Sequence, residues 1–559
     1  MIPPPLRSQV REAVRRAWTA AIDAGDLPAL PDGFDPPTIE IEHPADPRHG
    51  DLASNLAMKL ARPYRMAPLA IATVLAERLT RDAADMPVER AEVAPPGFLN
   101  LRLRGDSYAA TVDAINADPT AWGRVDPIRP RRVNVEFVSA NPTGPLTVGN
   151  ARGAFVGDLL CRVLEAGGQQ VTREYYFNDS GAQVNHLGAS VAAVRRGEPV
   201  PEDGYRGAYV EDLARDVPDE VWAAATAVGM DTDALLGAWA STRVRAGIEA
   251  SLARLGVRFD VWKSEASLHD EGWVARAVER LRAAGQVYEQ DGATWFRSTA
   301  FGDDKDRVIY KSNGWPTYFA ADIGYVTEKF SRGFDHLIYI WGADHHGTIA
   351  RNRNAAQAMG YDPDHYQVLL VGWVRFVADG LEVSMSKRAG TFVTLDDLLD
   401  AVGPDAARWF FASRAAHVEI DFDIELARRQ SSENPVYYVQ YAHARIASIL
   451  RRAADAGLAP AESIMGALGD ADTPEGRLAR ALTRLPEVVE DAVLAEETQG
   501  ITAYATELAT AFHAFYRDAR VVDTEAPERS AMRLALARAT GITLANTLAL
   551  LGISAPQSM

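Results

Sequence analysis

Cysteine is nearly absent: Cys161 is the only one in 559 residues. Neither an internal disulfide nor a cysteine-based zinc site is available, which is the usage of a reducing cytoplasm. Set among Leu159, Leu160 and Val163, this cysteine reads as a small buried hydrophobe. Long apolar runs are missing too. No segment reaches about 18 uninterrupted apolar residues, and MIPPPLRSQVREAVRRAW carries no hydrophobic stretch behind its charges. A membrane span and a secretory signal are therefore not expected, and a soluble cytoplasmic protein is. Positive charge is short as well: 58 Lys and Arg stand against 76 Asp and Glu, a formal charge of -18. That excludes a surface that grips nucleic acid or anionic lipid everywhere, while leaving room for a local basic patch. Tandem repeats and low-complexity tracts are also lacking. What is present is an ordinary globular mixture, 47% hydrophobic and 24% charged, long enough for three to five domains at about 100–200 residues each.

Residues 5–25 are expected to form an amphipathic helix and Ile39–Glu42 a short strand. In GDLASNLAMKLAR, Leu52, Leu56 and Leu60 recur at helical spacing. Strand patterns at Val88–Val93 and Phe98–Leu103 flank the turn formers Pro95, Pro96 and Gly97. Residues 1–110 thus read as one small α/β domain, ended by a Pro/Arg-rich joint at Asp126–Arg132. A second domain, 128–395, opens with an apolar strand at Val133–Val138, a Pro/Gly loop from Asn141 to Gly149 and a helix over Ala151–Ala166, the beginning of a nucleotide-binding α/β unit. A mostly helical, charged insertion is expected at about 185–300. Strands at Val308–Tyr310 and His336–Ile340 and an apolar run at Gln367–Val374 then complete the sheet. Residues 396–430 read as a connecting helical segment and 431–559 as an all-helical domain. The expected class is multidomain α/β plus all-α.

Two segments carry chemistry. In VEFVSANPTGPLTVGNARGAFVGD, loop amides and a helix N-terminus direct donors at one spot, as a polyphosphate requires, and Gly144 and Gly149 let the backbone approach. Alone, such a loop serves a tight strand-to-helix connection equally well. In VSMSKRAGTFVT, Lys387 and Arg388 sit among small residues, so a mobile lysine can follow phosphate charge as it redistributes; alone, the same run fits a solvated basic turn.

Together the two resemble the paired signatures of class I aminoacyl-tRNA synthetases on the halves of a split Rossmann fold. The surrounding motifs are similar to arginyl-tRNA synthetases of the bacterial type: GDLASNLAMKLA and PPGFLNLRL near the start, REYYFNDSGAQ, TYFAADIGY, YIWGADHHGT and SMSKRAGTFVTLDDLL in the middle, SSENPVYYVQYAHARI and LGISAPQSM toward the end. The resemblance implies an additional tRNA-binding N-terminal domain, a Rossmann-type catalytic domain and a helical anticodon-binding domain. It implies ATP-dependent formation of arginyl-adenylate, then transfer of the arginyl group to the 2′-hydroxyl of the terminal adenosine of tRNA-Arg. The implied partners are tRNA-Arg, L-arginine and ATP with Mg2+, handled by a monomer with no tightly bound protein-ligated metal.

Carried over residue by residue, the resemblance gives Thr147, Gly149, Asn150, Ser386 and Lys387 to catalysis. It gives Glu136, Ser139, Asn141, Tyr318 and Asp322 to arginine, whose fork of donors needs carboxylates and planar acceptors at fixed geometry. Gly144, Gly149, Asp344, His345 and Met385 are implied for ATP and its adenosine. Tyr437, Tyr441, His443 and Arg445 are implied for the anticodon, since aromatics beside a cation stack unpaired bases. The chain departs from the family pattern at three places: Thr147 and Asn150 replace the two signature histidines, and Ser384 replaces the first loop lysine. Thr and Asn still donate hydrogen bonds, so the expectation is a retuned enzyme. The alternative is a catalytically weakened paralogue that binds tRNA or arginine.

Overall fold

The computed structural model describes residues 4–81, 86–127, 129–179, 181–378, 381–382 and 394–559. Near the N-terminus, β1 (Leu52–Ser54), β2 (Val88–Ala94) and β3 (Phe98–Leu103) form an antiparallel sheet in the order β1-β3-β2. The helices Leu6–Asp23 and Pro68–Arg81 pack together beside it. Two expectations change here. Of Ile39–Glu42, only Glu42 pairs, exchanging backbone bonds of 2.9 and 2.7 Å with Ala53, because prolines at 36, 37 and 44 leave little room for a strand. Leu52 belongs to β1, opposite Leu101; the helix begins only at Leu56.

The central sheet has five parallel strands, β4 (Arg132–Glu136), β5 (Gln170–Phe177), β6 (Val261–Ser264), β10 (His336–Gly342) and β11 (Tyr366–Val371), in the order β11-β10-β4-β5-β6. Between β6 and β10, a separate antiparallel sheet is made by β7 (Val287–Gln290), β8 (Ala293–Phe296) and β9 (Arg307–Tyr310). The 185–300 stretch is therefore not wholly an insertion: its β6 forms an edge of the main sheet, and four residues among long helices give too weak a pattern to be read. Val308–Tyr310, conversely, belongs to the small sheet. β12 (Val374–Ala378), β13 (Leu381–Glu382) and β14 (Ile420–Asp423) form a fourth, small sheet in the order β13-β12-β14. The segment 396–430 thus contains a strand as well as helices.

β4 is buried from Val133 to Glu136, as a central parallel strand covered on both faces must be. The sheet reverses its winding between β4 and β10, so the carboxyl ends of these two strands open a crevice, the place where open α/β sheets bind ligands. One continuous core joins the N-terminal domain, the first half of the sheet and the C-terminal helices; a second covers Val274 to Tyr366. Beyond residue 430 the described residues form helices only, chiefly Pro435–Asp455, Gln499–Asp518 and Pro527–Leu551. The last is long and apolar enough to cross a membrane, but most of that stretch is buried among its neighbours. Arg408 ties this domain down, donating to Asp158 Oδ2 at 2.8 Å and to the carbonyls of Leu255 and Leu551. Cys161 is buried, and burial raises its thiol pKa.

Candidate active site

The chain leaves β4 through an uncommon turn. Val138 and Ser139 take positive φ of 69° and 43°, a sparsely populated conformation for a β-branched residue. The turn is held by Ser139 N–H on the Phe137 carbonyl at 3.0 Å and by Tyr175, whose hydroxyl donates to the Ala140 carbonyl at 2.8 Å and accepts from its N–H at 3.1 Å. Asn141 then donates to Gln183 Oε1 at 2.7 Å and accepts from Asn178 N–H at 3.3 Å. Tyr209 donates to the Thr143 carbonyl at 2.9 Å beside Gly144.

Thr147 caps the helix Val148–Ala166. Its backbone N–H and hydroxyl donate to Asn150 Oδ1 at 3.1 and 2.8 Å, so the two residues in the histidine positions hold each other in a capping box. Gly149 is exposed beside them. Thr147 also pairs with Thr394, and Leu395 N–H donates to the Leu146 carbonyl at 2.9 Å. The far end of the second signature segment is thereby fastened to the first. Ser384, Met385, Ser386 and Lys387 lie outside the described residues.

A cleft of about 440 Å³ opens over the carboxyl ends of β4 and β10, and Glu136, Ser139, Asn141, Tyr318, Asp322 and His345 all line it. Thr317 caps the helix Tyr318–Ser331 by accepting from Ala320 N–H, which places Tyr318 and Asp322 one turn apart. Asp322 faces Asn352, whose Nδ2 donates to it at 3.4 Å. Burial, helped by the charges of Glu136 and Glu265 and opposed by Arg351, pushes its carboxyl pKa up to about 6. Glu136 is buried at the end of β4; Lys329 Nζ lies 2.6 Å from its Oε2, and Ser139 Oγ donates to its Oε1 at 3.2 Å. Behind it, Glu174 accepts from Tyr325, Asn134 and Arg332. Asp344 and His345 are exposed after β10 and 3.6 Å apart. Among the described residues no group of three His, Cys, Asp or Glu side chains comes together to hold a metal.

Sequence reasoning missed Lys329, Tyr325 and Asn352. A signal existed for the first two: Tyr318, Asp322, Tyr325 and Lys329 follow at steps of four, three and four, a stripe of polar groups along one face of the helix. For Asn352 there was none, because what it faces is decided by tertiary packing.

On the helix Pro435–Asp455, the rings of Tyr437 and Tyr441 stack at 6.2 Å, and the Arg445 guanidinium covers Tyr441 at 4.7 Å and Tyr516 at 5.2 Å. His443 differs from its expectation. It lies on the buried face with Nδ1 2.8 Å from the Pro556 carbonyl, since two steps from Tyr441 is half-way round a helix.

Comparison with known proteins covers nearly the whole chain. Residues 6–103 match the arginyl tRNA synthetase N terminal domain, 125–414 the catalytic domain of tRNA synthetases class I (R), and 439–559 the DALR anticodon binding domain. An arginine–tRNA ligase of Citrifermentans bemidjiense is 45% identical over 531 residues, 94% of this chain and 95% of the relative. One of Geobacillus kaustophilus is 43% identical over 563 residues, covering 99% and 98%. The arginyl-tRNA synthetase of Thermus thermophilus shares the fold, with a TM-score of 0.76 at 24% identity over 99% of this chain and 100% of that one. The crevice at the switch point, the capped signature helix and these full-length matches agree: the chain belongs to the arginyl-tRNA synthetase family of class I aminoacyl-tRNA synthetases.

Proposed function

We propose that this cleft binds arginine and presents its carboxylate to ATP, so that the chain charges tRNA-Arg. The observation that carries the reading is the free acid Asp322 beside the lysine-paired Glu136 in one cleft at the switch point of the open parallel sheet. Asp322 would take the guanidinium, with Tyr318 closing over it. Glu136, Ser139 and Asn141, on the rigid turn after β4, would fix the other end of the substrate. ATP, arriving as its Mg2+ complex, would lie along Gly144 and the N-terminus of the signature helix, with its adenosine toward Asp344, His345 and Met385.

Adenylate formation joins a carboxylate oxygen of arginine to the α-phosphorus and expels pyrophosphate. Backbone N–H groups of Gly149 and its neighbours, with the side chains of Thr147 and Asn150, would stabilise the charge that develops there. Ser386 and Lys387 would meet the departing pyrophosphate, and the clasp at Thr394 supports this by tethering their segment beside Thr147. The 2′-hydroxyl of the terminal adenosine then attacks the activated carbonyl and releases AMP. Tyr437, Tyr441 and Arg445 would stack anticodon bases, while residues 1–110 would hold another part of the tRNA.

The test is aminoacylation of total tRNA with labelled arginine, run against lysine and glutamine. Charging with arginine alone is expected. Tight tRNA or arginine binding without charging would establish the weakened paralogue instead.

A further inference from the structure

The most deeply buried cation beside the cleft has no place in the reaction just described. Lys329 has no exposed side-chain surface, its Nζ is 2.6 Å from Glu136 Oε2, and the rings of Tyr325 and Tyr339 lie 4.3 and 4.0 Å from that nitrogen. Tyr176 stacks on Tyr325 at 4.7 Å, and Tyr325 is itself fixed by its hydroxyl on Glu174. An ammonium held between two aromatic faces is a fixed point charge. Glu136 is then clamped from both sides: Lys329 takes one oxygen, while the other accepts from Ser139, whose own Oγ accepts from Tyr176 N–H at 3.2 Å.

We propose that Lys329 is the positioning residue of the arginine subsite, setting the plane of the Glu136 carboxylate and offsetting its charge so that Asp322 remains the acid that answers the substrate's guanidinium. This rests on the assignment of Glu136 to arginine. The chemistry requires such a residue. Two uncompensated carboxylates in a small cleft would attract any cation, whereas one neutralised and oriented acid beside one free acid leaves a single unpaired negative charge for the planar guanidinium. Lys329 is not itself among the residues lining the cleft; the cleft acid it pairs with is Glu136, while Tyr325 and Tyr339, which also line the cleft, hold its ammonium in place.

The experiment is steady-state aminoacylation with five variants: Lys329→Met, Lys329→Arg, Glu136→Gln, Asp322→Asn and the double variant Lys329→Met/Glu136→Gln. Lys329→Met should raise the arginine KM at least about tenfold while the ATP KM stays within about twofold, and Lys329→Arg should recover most of the loss. The double variant should be no worse than Glu136→Gln alone, within about twofold, because a residue that acts through its partner adds nothing once the partner is neutral. Independent, multiplying effects would overturn the proposal, as would an equal rise in both KM values. If Lys329→Met does not fold, the uncharged double variant compared with Glu136→Gln decides the same question. An unchanged arginine KM in Glu136→Gln with a large rise in Asp322→Asn would instead remove Glu136 from the arginine subsite, and this proposal with it, while leaving Asp322 in place.

Discussion

The Thr147 hydroxyl donates to Asn150 Oδ1 across 2.8 Å, and the Thr147 N–H donates to the same oxygen at 3.1 Å. The two residues that replace the family's histidines are therefore coupled, and what they hold is the N-terminal end of the helix proposed to face the nucleotide. Thr147→Ala and Asn150→Ala should each lower stability by about 1 kcal/mol as lost caps. Each should also slow arginine activation at least about tenfold, because a loosened helix end misplaces its N–H donors. The double variant should cost clearly less than the product of the singles. Restoring both histidines should bring no gain, since the capping box is lost with them. A rise of about 100-fold in activation would show an eroded site instead.

How much of this is legible in the sequence depends on whether the signal is local. Val133–Glu136 and the loop to Asn150 announce themselves, because a buried parallel strand, a Pro/Gly loop and a capped helix each mark the sequence locally. β6 does not. Nor does the turn at Val138 and Ser139, where tertiary contacts from Tyr175 hold two non-glycine residues at positive φ. The acids of the cleft can be named, but Lys329 joins them from a helix 193 positions away. His443 departs from its expected place because a cluster of aromatic letters does not say which of them face inward.

Asp322, proposed to take the guanidinium, should make arginine recognition pH-dependent. With its carboxyl pKa raised to about 6, the free site is half protonated near that pH, and the arginine KM should climb about tenfold per unit below it while the ATP KM does not follow. Folding shows the opposite sign. The folded state binds the proton more tightly than the unfolded chain, so between about pH 4 and 6 this group makes stability fall as pH rises. At pH 7 Asp322→Asn should therefore stabilise the free protein, on the order of 1–2 kcal/mol after allowance for its partial solvation, while arginine affinity collapses. Thermal melts alongside KM values from pH 5 to 8 check both halves.

The helical domain offers a contrast between neighbours. Arg445→Ala and Tyr441→Ala should raise the tRNA KM by about 5- to 20-fold, the scale of one lost base stack, with arginine and ATP KM unchanged. His443→Ala should leave tRNA binding alone and lower the melting temperature, because its bond reaches the Pro556 carbonyl inside the domain. A tRNA effect from His443 equal to that of Arg445 would place the interface on the other face of the helix.

Gly157 gives the most sharply defined packing test. A Cβ built there would lie 2.3 Å from the Phe137 ring, and Phe137 immediately precedes the strained pair Val138 and Ser139. Neither partner can yield cheaply. The helix is fixed by its cap at Thr147 and by Arg152, which donates to the Gly372 carbonyl at 2.7 Å and the Ala415 carbonyl at 3.1 Å, while Phe137 is buried against Phe259 at 4.5 Å. Gly157→Ala should therefore destabilise the protein by about 1–3 kcal/mol, the usual cost of overpacking, although alanine is the better helix former by about 1 kcal/mol. It should also raise the arginine KM, because a displaced Phe137 carries Ser139 and Glu136 with it. Trimming the ring should separate the two effects: Phe137→Leu in the Gly157→Ala background should return stability relative to Gly157→Ala alone, a negative coupling that a cycle of melts in urea resolves. Gly157→Ala with unchanged or higher stability would mean that the helix and β4 are not held at this distance, and that the turn carrying Ser139 is set by something other than their contact.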